Sequence, residues 1–156
     1  MTTDYIVASL PALDFGAPPP MTWRAFEELC GGDSAPVLMA IGAGRWADID
    51  TQLRNAMAAA RGAPEFRRPA KGCSLYWKKR VEDCFAEKDV ARRQDMLDRT
   101  WWDAAGELAD PANPLGEGAL AAYAVRLRIA IRRASVSAEA GSAVFDRLTA
   151  ETKDIL

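Results

Sequence analysis

The side chains able to do chemistry are the first constraint, and one of them is missing altogether: the 156 residues contain no histidine. That removes histidine-based catalytic triads, histidine-containing zinc sites and the commonest general base near neutral pH. Cys30, Cys73 and Cys84 are an odd set at wide spacing, without a CxxC pair, so they read as reduced thiols. Carboxylate pairs are present at Glu27-Glu28, Asp48/Asp50 and Glu82-Asp83. All fall on polar positions of helical patterns, where solvated faces account for them. Gly42-Ala43-Gly44 precedes a helical pattern but lacks the lysine and Ser/Thr of a phosphate loop, so it reads as a turn. The chemistry expected is therefore non-catalytic, with no cofactor and no metal.

Two groups of basic residues suggest recognition instead. Arg67, Arg68 and Lys71, then Lys78, Lys79 and Arg80, stand beside Tyr76 and Trp77, which are ingredients of a phosphate-and-stacking surface. Glu82, Asp83, Glu87 and Asp89 follow at once, and the whole-chain charge is −2, so nucleic acid is not expected as a partner. The second group lies on a helical pattern over 117–134. There Val125 and Ile129 form a small apolar strip, flanked by Arg128 and Arg132 on one side and by Arg126 and Arg133 on the other. Arginine beside apolar side chains is a common interface composition, so these six residues, with Trp102, are the expected partner-binding surface. The competing reading is a helix buried on both sides, with arginine stems lying along the core.

The elements that must position these residues are helices. Trp46, Ile49, Leu53, Ala56, Met57 and Ala60 share one stripe of a helix over 45–61 that Gly62 should stop. Thr22 is placed to cap a short helix through Leu29, and Asp33 or Ser34 to cap another with Pro36 in its first turn. Further helices are expected over 74–86, 89–109 and 117–134, and Ser137 can cap a last one carrying Val144, Phe145, Leu148 and Ile155. In the 89–109 helix the expected stripe is Val90, Leu97, Trp101, Ala104 and Leu108, which turns Trp102 about 100° away, toward a second neighbour or a partner. Only 5–10, Tyr5 to Leu10, has the β-branched content of a strand, and Pro11 ends it. Tyr5, Phe15, Phe26 and Trp46 read as core aromatics.

The class that follows is all-α, a helical bundle or stacked helical hairpins, in a single domain over 1–156 with breaker segments at 62–72 and 110–116. With 49% hydrophobic residues the chain has apolar material for one core. No basic-then-apolar leader opens it and no apolar run reaches the roughly 18 residues of a membrane span, so a cytoplasmic protein without direct membrane insertion is expected.

One resemblance adds to this. Tyr5 through Phe15, Pro18-Pro19-Pro20-Met21-Thr22 and Phe26-Glu27-Glu28-Leu29-Cys30 resemble the opening of a bacterial family of unknown function encoded with V/A-type ATPase subunits. Arg45-Trp46, Leu53-Arg54-Asn55, Arg61, Leu120, Tyr123, Leu127, Arg132, Gly141, Phe145 and Leu148 are similar to that family's later pattern. The family is in turn weakly similar to the all-α socket of those ATPases, the component that joins the central rotor axle to the membrane ring. The resemblance thus implies an accessory or coupling role in the ATPase, with the rotor axle and membrane ring as partners, peripheral to the inner membrane through that complex. The alternative is a stand-alone helical adaptor or regulatory protein-binding module.

Overall fold

The computed structural model describes residues 2–31, 44–136 and 138–155, with the side chains of 138–140 excepted. Among them are seven α-helices and no strand. They are α1 (Thr3–Ser9), α2 (Trp23–Leu29), α3 (Arg45–Ala60), α4 (Leu75–Ala86), α5 (Val90–Ala105), α6 (Glu117–Ser135) and α7 (Ala138–Ile155). Short 3-10 turns lie at Pro64–Phe66 and Gly106–Leu108. The all-α reading is correct. The helix expected behind Asp33 or Ser34 lies outside the described residues, as do Gly42 and Ala43 of the glycine-flanked turn.

Local chemistry sets the ends of these helices. The Thr22 hydroxyl accepts from Ala25 N–H at 3.1 Å, Ser74 from Trp77 N–H at 3.3 Å, and Asp89 from both Ala91 and Arg92. Helix α3 stops in a Schellman turn: Gly62 sits at φ 73°, the Ala63 N–H reaches Ala58 O at 2.9 Å, and the Gly62 N–H reaches Ala59 O at 3.0 Å. A β-carbon at that φ is strained, so Gly62 is the residue that lets the chain turn into the 62–74 loop.

Packing follows chain order: α3 lies on α4, α4 on α5 and α5 on α6, with α3 also reaching α5. Helices α1 and α2 then pack on α6. Phe26, Leu53, Val81, Thr100 and Leu127 are the largest fully buried side chains among the described residues. Polar ties cross between elements at the rim of this core. Trp101 donates its indole N–H to Asp50 at 2.9 Å, Trp77 to Glu107 at 2.7 Å, and Tyr123 its hydroxyl to the Pro11 carbonyl at 2.9 Å. In a chain without histidine, carboxylates and carbonyls serve as the acceptors that buried indole and phenol groups require.

Three expectations need correction. The segment from Tyr5 is a helix through Ser9, because a strand requires a pairing edge and none is present among the described residues. Only Ile6 of α1 is buried, with Val7 packed against the core, and Tyr5 is exposed. In α5 the buried arc is wider than the stripe read from spacing and is turned from it. Leu97, Asp98, Thr100, Trp102, Ala104 and Ala105 are enclosed, Trp101 is half-buried and Val90 is exposed. Helix α5 has neighbours on both flanks, α4 and α6, so two arcs of its surface are covered.

Candidate functional site: a basic groove

The surface expected on α6 is a seam inside the fold. Trp102, Val125 and Ile129 are all buried. Arg126 donates from Nε to the Trp102 carbonyl at 2.9 Å and lies over the Trp102 ring at 5.5 Å. Burial lowers the Arg126 pKa by penalising its charge, with Arg99 adding to that effect and Asp103 opposing it. Arg128 covers the Trp23 ring at 4.3 Å. Arg132 pairs with buried Asp98, and Arg133 reaches Asp98 at 2.9 Å and Asp95 at 3.0 Å while lying over Phe15 at 4.5 Å. Gln94 gives Asp98 a further donor at 3.0 Å. Of the partner-binding assignment of Trp102, Val125, Arg126, Arg128, Ile129, Arg132 and Arg133, the structure corrects the apolar part: Trp102, Val125 and Ile129 are buried, Arg126 and Arg133 are half-buried, and Arg128 and Arg132 stay exposed while lying against Trp23 and Asp98. The physical reason is that α2, α5 and the Phe15 segment cover the face of α6 that spacing alone leaves open.

The other basic group behaves differently. After Gly62 the chain runs back along α3, and two side-chain amides of α3 hold it there. Asn55 donates to the Arg68 carbonyl at 2.7 Å and accepts from the Arg68 N–H at 2.8 Å. Gln52 donates to the Lys71 carbonyl at 3.0 Å and accepts from the Ser74 N–H at 2.9 Å. An amide supplies both a donor and an acceptor, so each satisfies the loop backbone in two directions where no sheet or helix can. This arrangement was not legible in the sequence, where Gln52 and Asn55 are two polar positions on a helix.

Between loop, α3 and α4 this leaves a cavity of about 170 Å³. Ala56, Ala59, Ala70 and Trp77 give it apolar walls, and Arg67, Lys78 and Cys73 stand around it. Trp77 is buried and so closes this cavity instead of offering a stacking face. A second hollow is lined by Asp50, Arg54, Arg61, Phe66 and Arg68 among others. Phe66 and Tyr76 are 74% and 61% exposed.

The charges decide how this surface differs from the rest. Arg24, Arg54, Lys79, Arg80, Arg92, Arg99, Arg132 and Arg133 each have a carboxylate within 4 Å. Arg61, Arg93, Arg126 and Arg128 lie over aromatic rings. Arg67, Arg68, Lys71 and Lys78 have neither among the described residues, and they gather around one loop. The remaining cations of that kind, Arg45, Lys88, Arg147 and Lys153, are scattered along the chain. Between Gly62 and Arg80 the only acidic residue is Glu65.

The three thiols lie in different surroundings. Cys84 is buried with its Sγ 3.6 Å from the Thr100 hydroxyl, Cys30 is half-buried and Cys73 is exposed. Burial pushes the Cys30 thiol pKa up, and nearby Glu27 adds to that, which lowers its thiolate fraction. No cluster of three or more metal-ligating side chains occurs among the described residues. Glu27 accepts from the Trp23 indole, Glu28 pairs with Arg24, Asp50 with Arg54 and Asp83 with Lys79, so these carboxylates are engaged locally. No helix of the described residues is long and apolar enough to cross a membrane. Comparison with protein-family models, curated proteins and solved structures finds no match to this chain.

Proposed function

We propose that the chain is a non-catalytic protein-binding module that takes an acidic, apolar-sided segment of a partner into the groove between the 62–74 loop, α3 and α4. The observation that carries this reading is the set of four cations, Arg67, Arg68, Lys71 and Lys78, without a carboxylate within 4 Å among the described residues, the first three on a loop whose backbone Asn55 and Gln52 hold in place. Elsewhere the chain neutralises most of its arginines itself. A carboxylate-bearing partner meets cations already oriented beside an apolar cavity, and each exposed pair adds about 0.2 to 1 kcal/mol, so several pairs and one inserted side chain are required together. The assembly suggested by the N-terminal resemblance is a V/A-type ATPase, in which the chain acts as a coupling or assembly component between rotor axle and membrane ring. The groove itself supports equally a stand-alone adaptor.

Affinity purification of the ATPase from the source bacterium separates these. Recovery of the chain in fixed ratio to the rest of the complex, lost in the Arg67→Glu/Lys78→Glu variant, supports the coupling role. An active complex that lacks the chain refutes that role. A different partner captured through the same two cations then assigns the adaptor role, and a partner whose capture ignores both cations refutes the groove.

A further inference from the structure

Helix α7 is the other unfilled half of the molecule. From Gly141 to Ile155 nearly every residue is exposed, including Phe145 at 68%, Leu148 at 52% and Ile155 at 84%. On an α-helix Val144, Leu148 and Ile155 fall on one line, with Phe145 beside it. Among the described residues, none of these four belongs to the core or packs against it. An isolated helix of this length is marginal in water, so an apolar stripe of four large side chains marks a helix that is stabilised by packing against something.

What it fits is decided by charge and spacing. Glu151 lies three residues after Leu148, on the edge of the stripe, and Asp154 follows on the same side. Over its length α7 carries Glu139, Asp146, Glu151 and Asp154 against Arg147 and Lys153. An aliphatic side chain with a carboxylate one turn away is the complement of an apolar cavity rimmed by Arg67 and Lys78. An apolar cavity of about 150 Å³ is enough to admit benzene, so the cavity here, about 170 Å³, has room for a single Leu or Ile side chain.

Resting on the reading that this groove takes acidic, apolar-sided segments, we propose that α7 of one copy docks in the groove of a second copy, and the reverse. The exchange is isologous and closes as a two-fold dimer, using both helices and both grooves and leaving no open end for a filament. A simple α7–α7 pair is the poorer alternative, because it sets Glu151 against the partner's apolar stripe and leaves the cations around Arg67 without counter-charges.

The test is light scattering after size exclusion, on the full chain and two variants. Leu148→Asp/Ile155→Asp removes the docking face, and Arg67→Glu/Lys78→Glu reverses the groove; all four positions are exposed, and circular dichroism checks the fold of each. The wild type is expected to be a dimer at tens of micromolar protein, with dissociation at least about tenfold stronger at 1 M than at 0.1 M salt. Each variant alone is expected to be monomeric, and their equimolar mixture to recover a dimer, since one intact helix and one intact groove remain. A monomeric wild type, a groove variant that stays dimeric, or a mixture that stays monomeric overturns the exchange. If the wild type is monomeric while partner capture still depends on Arg67 and Lys78, the groove reading stands and only the self-docking fails.

Discussion

Two regions of this protein are built from arginine and aromatic side chains, and they come to opposite ends. Along α5 and α6, Arg126 lies over Trp102 and Arg133 over Phe15, and Arg132 and Arg133 close on Asp98, which is 5% exposed. Around the 62–74 loop, Arg67, Arg68, Lys71 and Lys78 are cations with exposed Phe66 and Tyr76 among their chain neighbours, and none has a carboxylate within 4 Å among the described residues. Residue type is the same in both, so composition does not distinguish a structural seam from a recognition surface. What distinguishes them is whether the fold supplies counter-charges. The seam takes Asp98 from the opposing helix, whereas the loop faces two neutral amides that bind its backbone and leave its side chains alone.

The largest expected effect falls on the seam. Asp98→Ala leaves Arg132, Arg133 and Gln94 without their shared acceptor, and removing one partner of a buried pair costs about 3 to 5 kcal/mol. Because Arg132 is more than half exposed and regains water, the expectation here is about 2 to 3 kcal/mol, measured by urea denaturation. A loss below about 0.5 kcal/mol, the range of ordinary surface substitutions, would erase the contrast between the two regions.

Smaller effects are expected at the loop. Asn55→Ala removes two hydrogen bonds to the Arg68 backbone at a partly exposed site, worth about 1 kcal/mol in all. Its sharper readout is limited trypsin digestion, with cleavage after Arg67 and Lys71 accelerating while sites in α6 do not change; Arg68 precedes Pro69 and is not cut. Unchanged cleavage would show that the amide does not hold the loop. Smallest of all, Arg67→Glu/Lys78→Glu should change the unfolding free energy from urea denaturation by no more than about 0.5 kcal/mol, since neither side chain has a charged partner among the described residues. A large destabilisation there would mean that the groove cations belong to the fold as those of the seam do.

Much of the helical framework is legible in the residues. The stripe Trp46, Ile49, Leu53 and Ala56 is buried as its spacing requires, Thr22 caps α2, and Gly62 ends α3. Phe26 and Trp46 are core aromatics, Phe15 is half-buried, and Tyr5 faces water. The reading fails where a helix has more than one covered face. Spacing assigns α5 a single stripe and exposes Trp102, but neighbours on two sides bury Trp102 and leave Val90 out. The candidate site is partly legible: Arg67, Arg68, Lys71 and Lys78 stand out as a basic run, but Lys79 and Arg80 in the same run are paired with Asp83 and Asp103.

By itself, then, the sequence determined the helices from α2 to α6 and several of their ends, though not α1, because periodicity, capping hydroxyls and a glycine at positive φ act over a few residues. It also determined the absence of histidine chemistry, because composition alone decides that. Only the tertiary structure decided which arginines are free. Salt bridges such as Arg133–Asp98 and Arg80–Asp103 join residues 35 and 23 positions apart, and the amides that hold the 62–74 loop lie 13 to 22 residues from the backbone they bind. Whether a charge is spent inside the fold or left for a partner depends on contacts of that range, which no local pattern encodes.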